Sequence, residues 1–344
     1  MKPPKLMPVE DDAGLPGPYD GAQADEPWFL PDAPEDPGLP LPKAGRGGLV
    51  AAAGWRDAEA GLAGDLAELA FDAGRLAERL RLAGQGAGQR LALEEAAALS
   101  WWTGDRIGTD RLALWISYRI GAVEVDGGGL IRTAWAARRL TAVARQGRGL
   151  AGTLAAALGE AGRADPGLVA DVAAELEPLA GSSRVTQGAA LFHLWRSLDE
   201  RPDHVRGLEA AVLGARLAGK GGLPFLPLAL TGFGALTASG PPERRLGSWV
   251  QGAHRAVLAA LMALERLADW RQRAEAGTAD LSGRTPGLLI AALAAHPTLA
   301  APQAEAETGA SRAAVQRNLD RLVHRGLVRE VTGQGRFRVW AAKM

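Results

Sequence analysis

Cysteine is absent from the 344 residues. That excludes a disulfide framework, a thiolate zinc site, an iron–sulfur cluster and a thiol nucleophile. The lack suits a reducing compartment, so the expected setting is the cytoplasm. Aromatic residues are scarce at 5% of the chain, although ten of them are Trp. Histidine is thin as well. His193, His204, His254, His296 and His324 show no H-x-x-x-H or carboxylate-linked spacing, so no metal and no cofactor are expected. Net charge is missing too, with 39 Lys+Arg against 39 Asp+Glu. Met1–Met7 holds no apolar core of about 7–15 residues, which predicts no secretory signal. Between Lys220 and Glu243 there is no charge, but Pro224, Pro227, Pro241 and Pro242 break the stretch. A membrane span needs about 20 mainly apolar residues, so this one is expected to be buried core with a loop.

Neutrality is an average. At about 100–200 residues per domain the length suggests two domains. Residues 1–45 hold eleven of the 21 prolines, nine acidic residues and three lysines, a net of −6. Such a segment buries too little apolar surface to offset its ordering entropy, which predicts a disordered acidic tail. Trp28-Phe29-Leu30 is its one apolar cluster. Residues 46–280 carry 27 basic and 26 acidic side chains and are rich in Ala, Leu, Gly and Arg. Apolar residues recur there three or four apart, through Leu62–Leu82, Leu91–Trp102, Leu112–Ile120, Ile131–Val143, Leu168–Leu179, Thr186–Leu198, Leu208–Leu217 and Trp249–Trp270. Strand signals are nearly absent, so this segment reads as a helical domain. Trp101-Trp102, Trp115 and Trp135 are expected as core or interface anchors.

Residues 281–344 carry nine basic and four acidic residues, a net of +5. Thr285-Pro286 opens an apolar helix that His296-Pro297 stops. A short helix over Pro302–Thr308 ends at Gly309, and Ser311 caps a third with Val315, Leu319 and Leu322 as its buried stripe. Leu327–Val331 and Phe337–Trp340 then alternate like strands around a Gly-rich tip, Thr332-Gly333-Gln334-Gly335-Arg336. The order is that of a winged helix-turn-helix with a two-stranded wing, so the fold class is mainly α.

The run from Thr308 to Leu319 resembles the turn and recognition helix of winged helix-turn-helix proteins, which implies that the third helix is to read double-stranded DNA. Its N-terminal amides point towards phosphate from Ser311 onward, Ala313, Gln316, Arg317, Asp320 and Arg321 face outward, and Ser311, Arg312, Gln316 and Arg317 are the expected contacts. Arg and Gln can pair with guanine and adenine edges in the major groove. Arg336 and Arg338 in the hairpin meet phosphate or the minor groove. Asp320, on the same face, is the one charge that opposes this reading.

Little in the helical body carries chemistry. Gly214-Ala215-Arg216-Leu217-Ala218-Gly219-Lys220-Gly221 has the outline of a P-loop, but Gly221 stands where magnesium needs a hydroxyl and no strand precedes it. A helix end explains it better.

The order of a helical body and a winged domain ending in Glu330-Val331-Thr332-Gly333-Gln334-Gly335-Arg336-Phe337-Arg338-Val339-Trp340 resembles Fic-family proteins. It is more closely similar to a group of alphaproteobacterial helix-turn-helix proteins that join a degenerate Fic-like body to this domain. Active Fic proteins transfer AMP with H-P-F-x-[DE]-G-N-G-R. The corresponding stretch runs from His193 to Arg201, and only those two residues keep their types. Ser197 replaces the metal-binding acid, and Leu198 and Glu200 replace both glycines. Glu95, Ser100 and Gly104 follow the outline of the family's inhibitory stretch, while Thr103 replaces its inhibitory Glu. The resemblance therefore implies a catalytically inactive Fic-like body that mediates oligomerisation or senses a ligand, with no catalytic residues. The expected function is DNA-binding transcriptional regulation. The alternatives are a diverged AMP transferase using His193 and Arg201, or a protein–protein interaction module.

Overall fold

A computed structural model describes residues 51–120, 127–142, 149–159, 165–219, 222–333 and 337–344. The acidic segment at residues 1–45, Lys220 and Arg336 fall outside the described residues.

Eleven helices among the described residues precede the C-terminal region. They are α1 (Ala52–Gly61), α2 (Ala63–Ala83), α3 (Gln85–Thr103), α4 (Thr109–Tyr118), α5 (Gly127–Thr141), α6 (Gly149–Leu158), α7 (Pro166–Leu176), α8 (Arg184–Leu198), α9 (Asp203–Ala218), α10 (Gly234–Thr237) and α11 (Pro242–Ala276). Two of their starts are capped by a local side chain. Asp165 accepts from the Gly167 amide at 3.0 Å with Pro166 at the first helical position, and Ser183 accepts from the Thr186 amide at 3.1 Å.

The core centres on α8 and α9, where two glycines permit close crossing. A Cβ at Gly214 would lie 2.8 Å from the Gly188 carbonyl oxygen and 3.0 Å from the Trp249 ring. Gly214 thus belongs to a helix–helix contact inside α9, which ends at Ala218 as the helix-end reading expects. Phe192, Trp195 and Trp249 are fully buried around this crossing. Trp135 is buried and donates to the Leu158 carbonyl, whereas Trp101 is 55% exposed and is not a core anchor.

The uncharged stretch is indeed core and loop: Leu223, Phe225, Leu226, Leu228 and Ala229 are buried. Its backbone is held by Glu95, whose carboxylate is fully buried and accepts from the amides of Leu228 at 2.8 Å and Ala229 at 3.0 Å. Burial pushes Glu95 up to about 7 against the pull of those amides. No helix of the described residues is long and apolar enough to cross a membrane.

The chain then builds the winged arrangement: α12 (Thr285–Ala295), β1 (Leu299–Ala300), α13 (Ala301–Thr308), α14 (Arg312–His324), β2 (Val328–Glu330) and β3 (Val339–Ala342). The strands form one antiparallel sheet in the order β1-β3-β2, with Leu299 opposite Trp340 and Val328 opposite Ala342. The expected hairpin is present, with two differences. A third strand, β1, pairs on the outer side of β3, which makes β3 central. The second strand begins at Val339 rather than Phe337, and all four of its residues are buried instead of alternating. Ala341 and Ala342 line a cleft with Leu93 and Ala113 of α3 and α4, so β3 faces the helical body across it.

Side chains from the helical body fasten this region. Arg90, 9% exposed, donates to the carbonyls of Leu293 and His296 at the end of α12. The Tyr118 hydroxyl accepts from the Ala300 amide at 2.9 Å and donates to Gln303 at 2.8 Å. Trp270 donates to the Leu327 carbonyl at 2.7 Å, and Arg329 of β2 pairs with both oxygens of Asp110 at 2.8 Å. The orientation of the wing is thereby tied to α3, α4 and α11.

Candidate nucleic-acid interface

The turn between α13 and α14 is set by three residues. Thr308 donates its hydroxyl to the Ala304 carbonyl at 2.7 Å and accepts from the Ala310 amide. Gly309 takes a left-handed φ of 60°, which lets the chain reverse at the end of α13. Ser311 then caps α14 by accepting from the Ala314 amide.

Helical periodicity divides α14 cleanly. Val315, Asn318, Leu319 and Leu322 are buried, and Asn318 spends an amide proton on the Ala314 carbonyl at 2.8 Å. The opposite face presents Arg312, Ala313, Gln316, Arg317, Asp320, Arg321 and His324 at spacings of three and four. Arg312, Arg317 and Arg321 are exposed and have no ion-pair partner among the described residues. Arg312 stands at the first helical position, where the helix dipole disfavours a cation, and the first turn contains no acid to balance it. An anion at this end would satisfy both the free first-turn amides and this arginine.

Two expected contact residues are engaged within the protein. Gln316 donates to Asp320 at 2.9 Å. Arg338 pairs with Glu330 at 2.7 Å and with Asp320 at 3.4 Å, and its guanidinium lies over the Trp340 ring at 5.1 Å. Asp320 therefore does not simply oppose DNA. It orients Gln316 and ties the root of the wing to the middle of α14. Sequence reading saw only its charge, because its partner Arg338 is eighteen residues away. Two further arginines of the region serve as struts: Arg329 on Asp110, and Arg325 on Asp280 at 2.6 and 2.8 Å. Asp280 is held down to about 2, chiefly by its bond to Arg325.

The residues behind the AMP-transferase alternative lie elsewhere. His193, on α8, packs against Phe192 and Trp55, and its Nε2 is buried with no hydrogen-bond partner among the described residues. Burial, reinforced by Arg245 and Arg196, lowers it to about 3, so the ring is neutral and a poor proton acceptor. Arg201 pairs with the buried carboxylates of Asp199 at 2.6 Å and Glu209. The stretch outlined by Glu95, Ser100 and Gly104 has structural work too. Ser100 accepts from the Ile107 amide at 2.9 Å and donates to the Ala97 carbonyl at 2.6 Å, while Gly104 ends α3 in a left-handed turn. Among the described residues no group of three acidic or histidine side chains is placed to hold a metal.

No curated protein matches the chain. The model of the MarR family matches residues 280–336, so the stretch from the end of α11 into the wing, with α14 inside it, is similar to the DNA-binding winged helix-turn-helix domain of that family.

Proposed function

We propose that the protein is a transcriptional regulator that binds double-stranded DNA through α14, acts in the cytoplasm, and divides at residue 281 into a helical body and a winged domain. The observation that carries this reading is the exposure of Arg312 at the start of α14 and of Arg317 and Arg321 one turn apart on its outer side. They are exposed and lack ion-pair partners among the described residues, although neighbouring arginines are paired. Ser311 and the first-turn amides meet a phosphate, Ala313 allows close approach, and Gln316 with Arg317 reaches base edges once the helix enters the major groove. Arg321 and Arg336 add backbone contacts. Arg338 serves first to hold the wing in place.

The helical body is the oligomerising or sensing part in this reading, and its likeness to a Fic fold belongs to the same proposal. A non-catalytic body is supported by Arg201, engaged by two carboxylates, and by the neutral, packed His193. The test is fluorescence anisotropy of the full chain against genomic duplexes at several salt concentrations. Submicromolar binding to a subset of fragments is expected, and binding no tighter than about 10⁻⁴ M at physiological salt contradicts the reading.

A further inference from the structure

We propose that Phe337 is an apolar wedge which the wing presses into the DNA minor groove beside α14; this rests on the DNA-binding reading above. Phe337 is 80% exposed, more than any other large apolar side chain among the described residues. Its φ of 58° is left-handed, a conformation that bulky L residues rarely adopt. The Val331 amide closes the hairpin on the Val339 carbonyl at 2.9 Å. Phe337 lies two residues beyond that bond, towards the tip, so it leaves the strand alternation and projects from the sheet instead of covering it.

Its neighbour explains why the aromatic ring, rather than a cation, is presented there. Arg338 is drawn back onto Glu330, Asp320 and the face of Trp340. The bond from Arg338 to Asp320 also fixes where Phe337 stands. Asp320 lies on the exposed face of α14 and accepts from Gln316. Phe337 is therefore next along the chain to a residue bonded to the exposed side of α14, the helix that carries Arg317 and Arg321. An apolar group in such cationic surroundings suits a polyanion with apolar faces better than an apolar protein patch.

Nucleic acid has that chemistry. A helix about 10–12 Å across fills a major groove about 12 Å wide. Beyond the phosphate ridge lies the minor groove, about 6 Å wide, which admits an aromatic edge but no helix. Apolar side chains inserted there part a base step and bend the duplex by about 20–90°.

The test uses the full chain and a duplex selected by the wild type from a random library, labelled at both ends. Phe337→Ala is expected to weaken binding about tenfold. The salt slope stays unchanged, since an apolar contact releases no counterions. Phe337→Trp is expected to retain affinity within about threefold of wild type, as stacking tolerates a larger ring. Energy transfer between the ends should report a bend of at least about 20° with wild type and a straighter duplex with Phe337→Ala. Equal affinity and equal bend in Phe337→Ala would overturn the wedge alone. Loss of self-association with DNA binding intact would overturn it in favour of a protein contact. A wild-type chain that selects no duplex removes the DNA-binding reading and the wedge with it.

Discussion

Arginine plays opposite parts in the helical body and in α14. Several arginines of the body turn inward, while others, such as Arg79, Arg244 and Arg255, are exposed. Arg90 ties down the carbonyls that end α12, Arg216 bonds the carbonyls of Arg139 and Ala142, and Arg201 joins Asp199 and Glu209. Arg132 pairs with Asp105 at 2.7 Å. In α14 the arginines at 312, 317 and 321 point outward with no ion-pair partner among the described residues. Buried arginines need such partners, because an unpaired charge taken out of water is costly. Exposed ones contribute little to folding, so the placing of Arg317 and Arg321 one turn apart on the outer side of α14, with Arg312 at its start, is explained by what they meet. The neutral total of 39 against 39 conceals this division.

Substitutions can break the comparison from either side. The largest effect belongs to the body. Trp249→Ala should cost about 3–5 kcal/mol in denaturant unfolding, because it opens a cavity at the crossing of α8 and α9. At temperatures where the variant stays folded, DNA affinity should be unchanged.

Glu95 comes next. Its folded-state value of about 7 lies above the ordinary 4.5, so the folded state binds the proton more readily between those values. This group's contribution to stability therefore rises as pH falls from about 7 to 4.5, by about 3 kcal/mol. Glu95→Gln should remove that part of the pH dependence, read as the difference between wild type and variant at pH 5 and pH 8. A difference that grows with the opposite sign contradicts the assignment.

On the α14 side, Arg317→Ala should weaken DNA binding by about 1–3 kcal/mol and leave unfolding within about 0.5 kcal/mol of wild type. The smallest effect is expected at the cap. Ser311→Ala should cost about 1 kcal/mol of stability, measured by thermal unfolding.

How much of this was legible in the sequence depended on range. The turn and α14 are encoded within sixteen residues, by Gly309, Ser311 and the spacing of Val315, Leu319 and Leu322. Ala313, Arg317, Asp320 and Arg321 are exposed where periodicity put them. Contrast also mattered. The eight apolar stretches of the body correspond to helices because charges separate them, whereas α6, Gly149–Leu158, has no charged residue to reveal a face. The two residues of β1 are too short to show a pattern. Tertiary pairing left no local trace: Arg329 meets Asp110 across 219 positions, and the pull of Glu330 on Arg338 could not be told from a free cation. Phe337 fitted a strand pattern that its backbone then abandons.

The most direct test of the division is the salt dependence of DNA binding for wild type and an Arg312→Ala, Arg317→Ala, Arg321→Ala variant of the full chain. The slope of log K against log salt should shrink by up to about 2.7 if each arginine neutralises one phosphate. The thermal midpoint should not move. An unchanged slope, or a slope that falls only because the variant unfolds, would contradict the account.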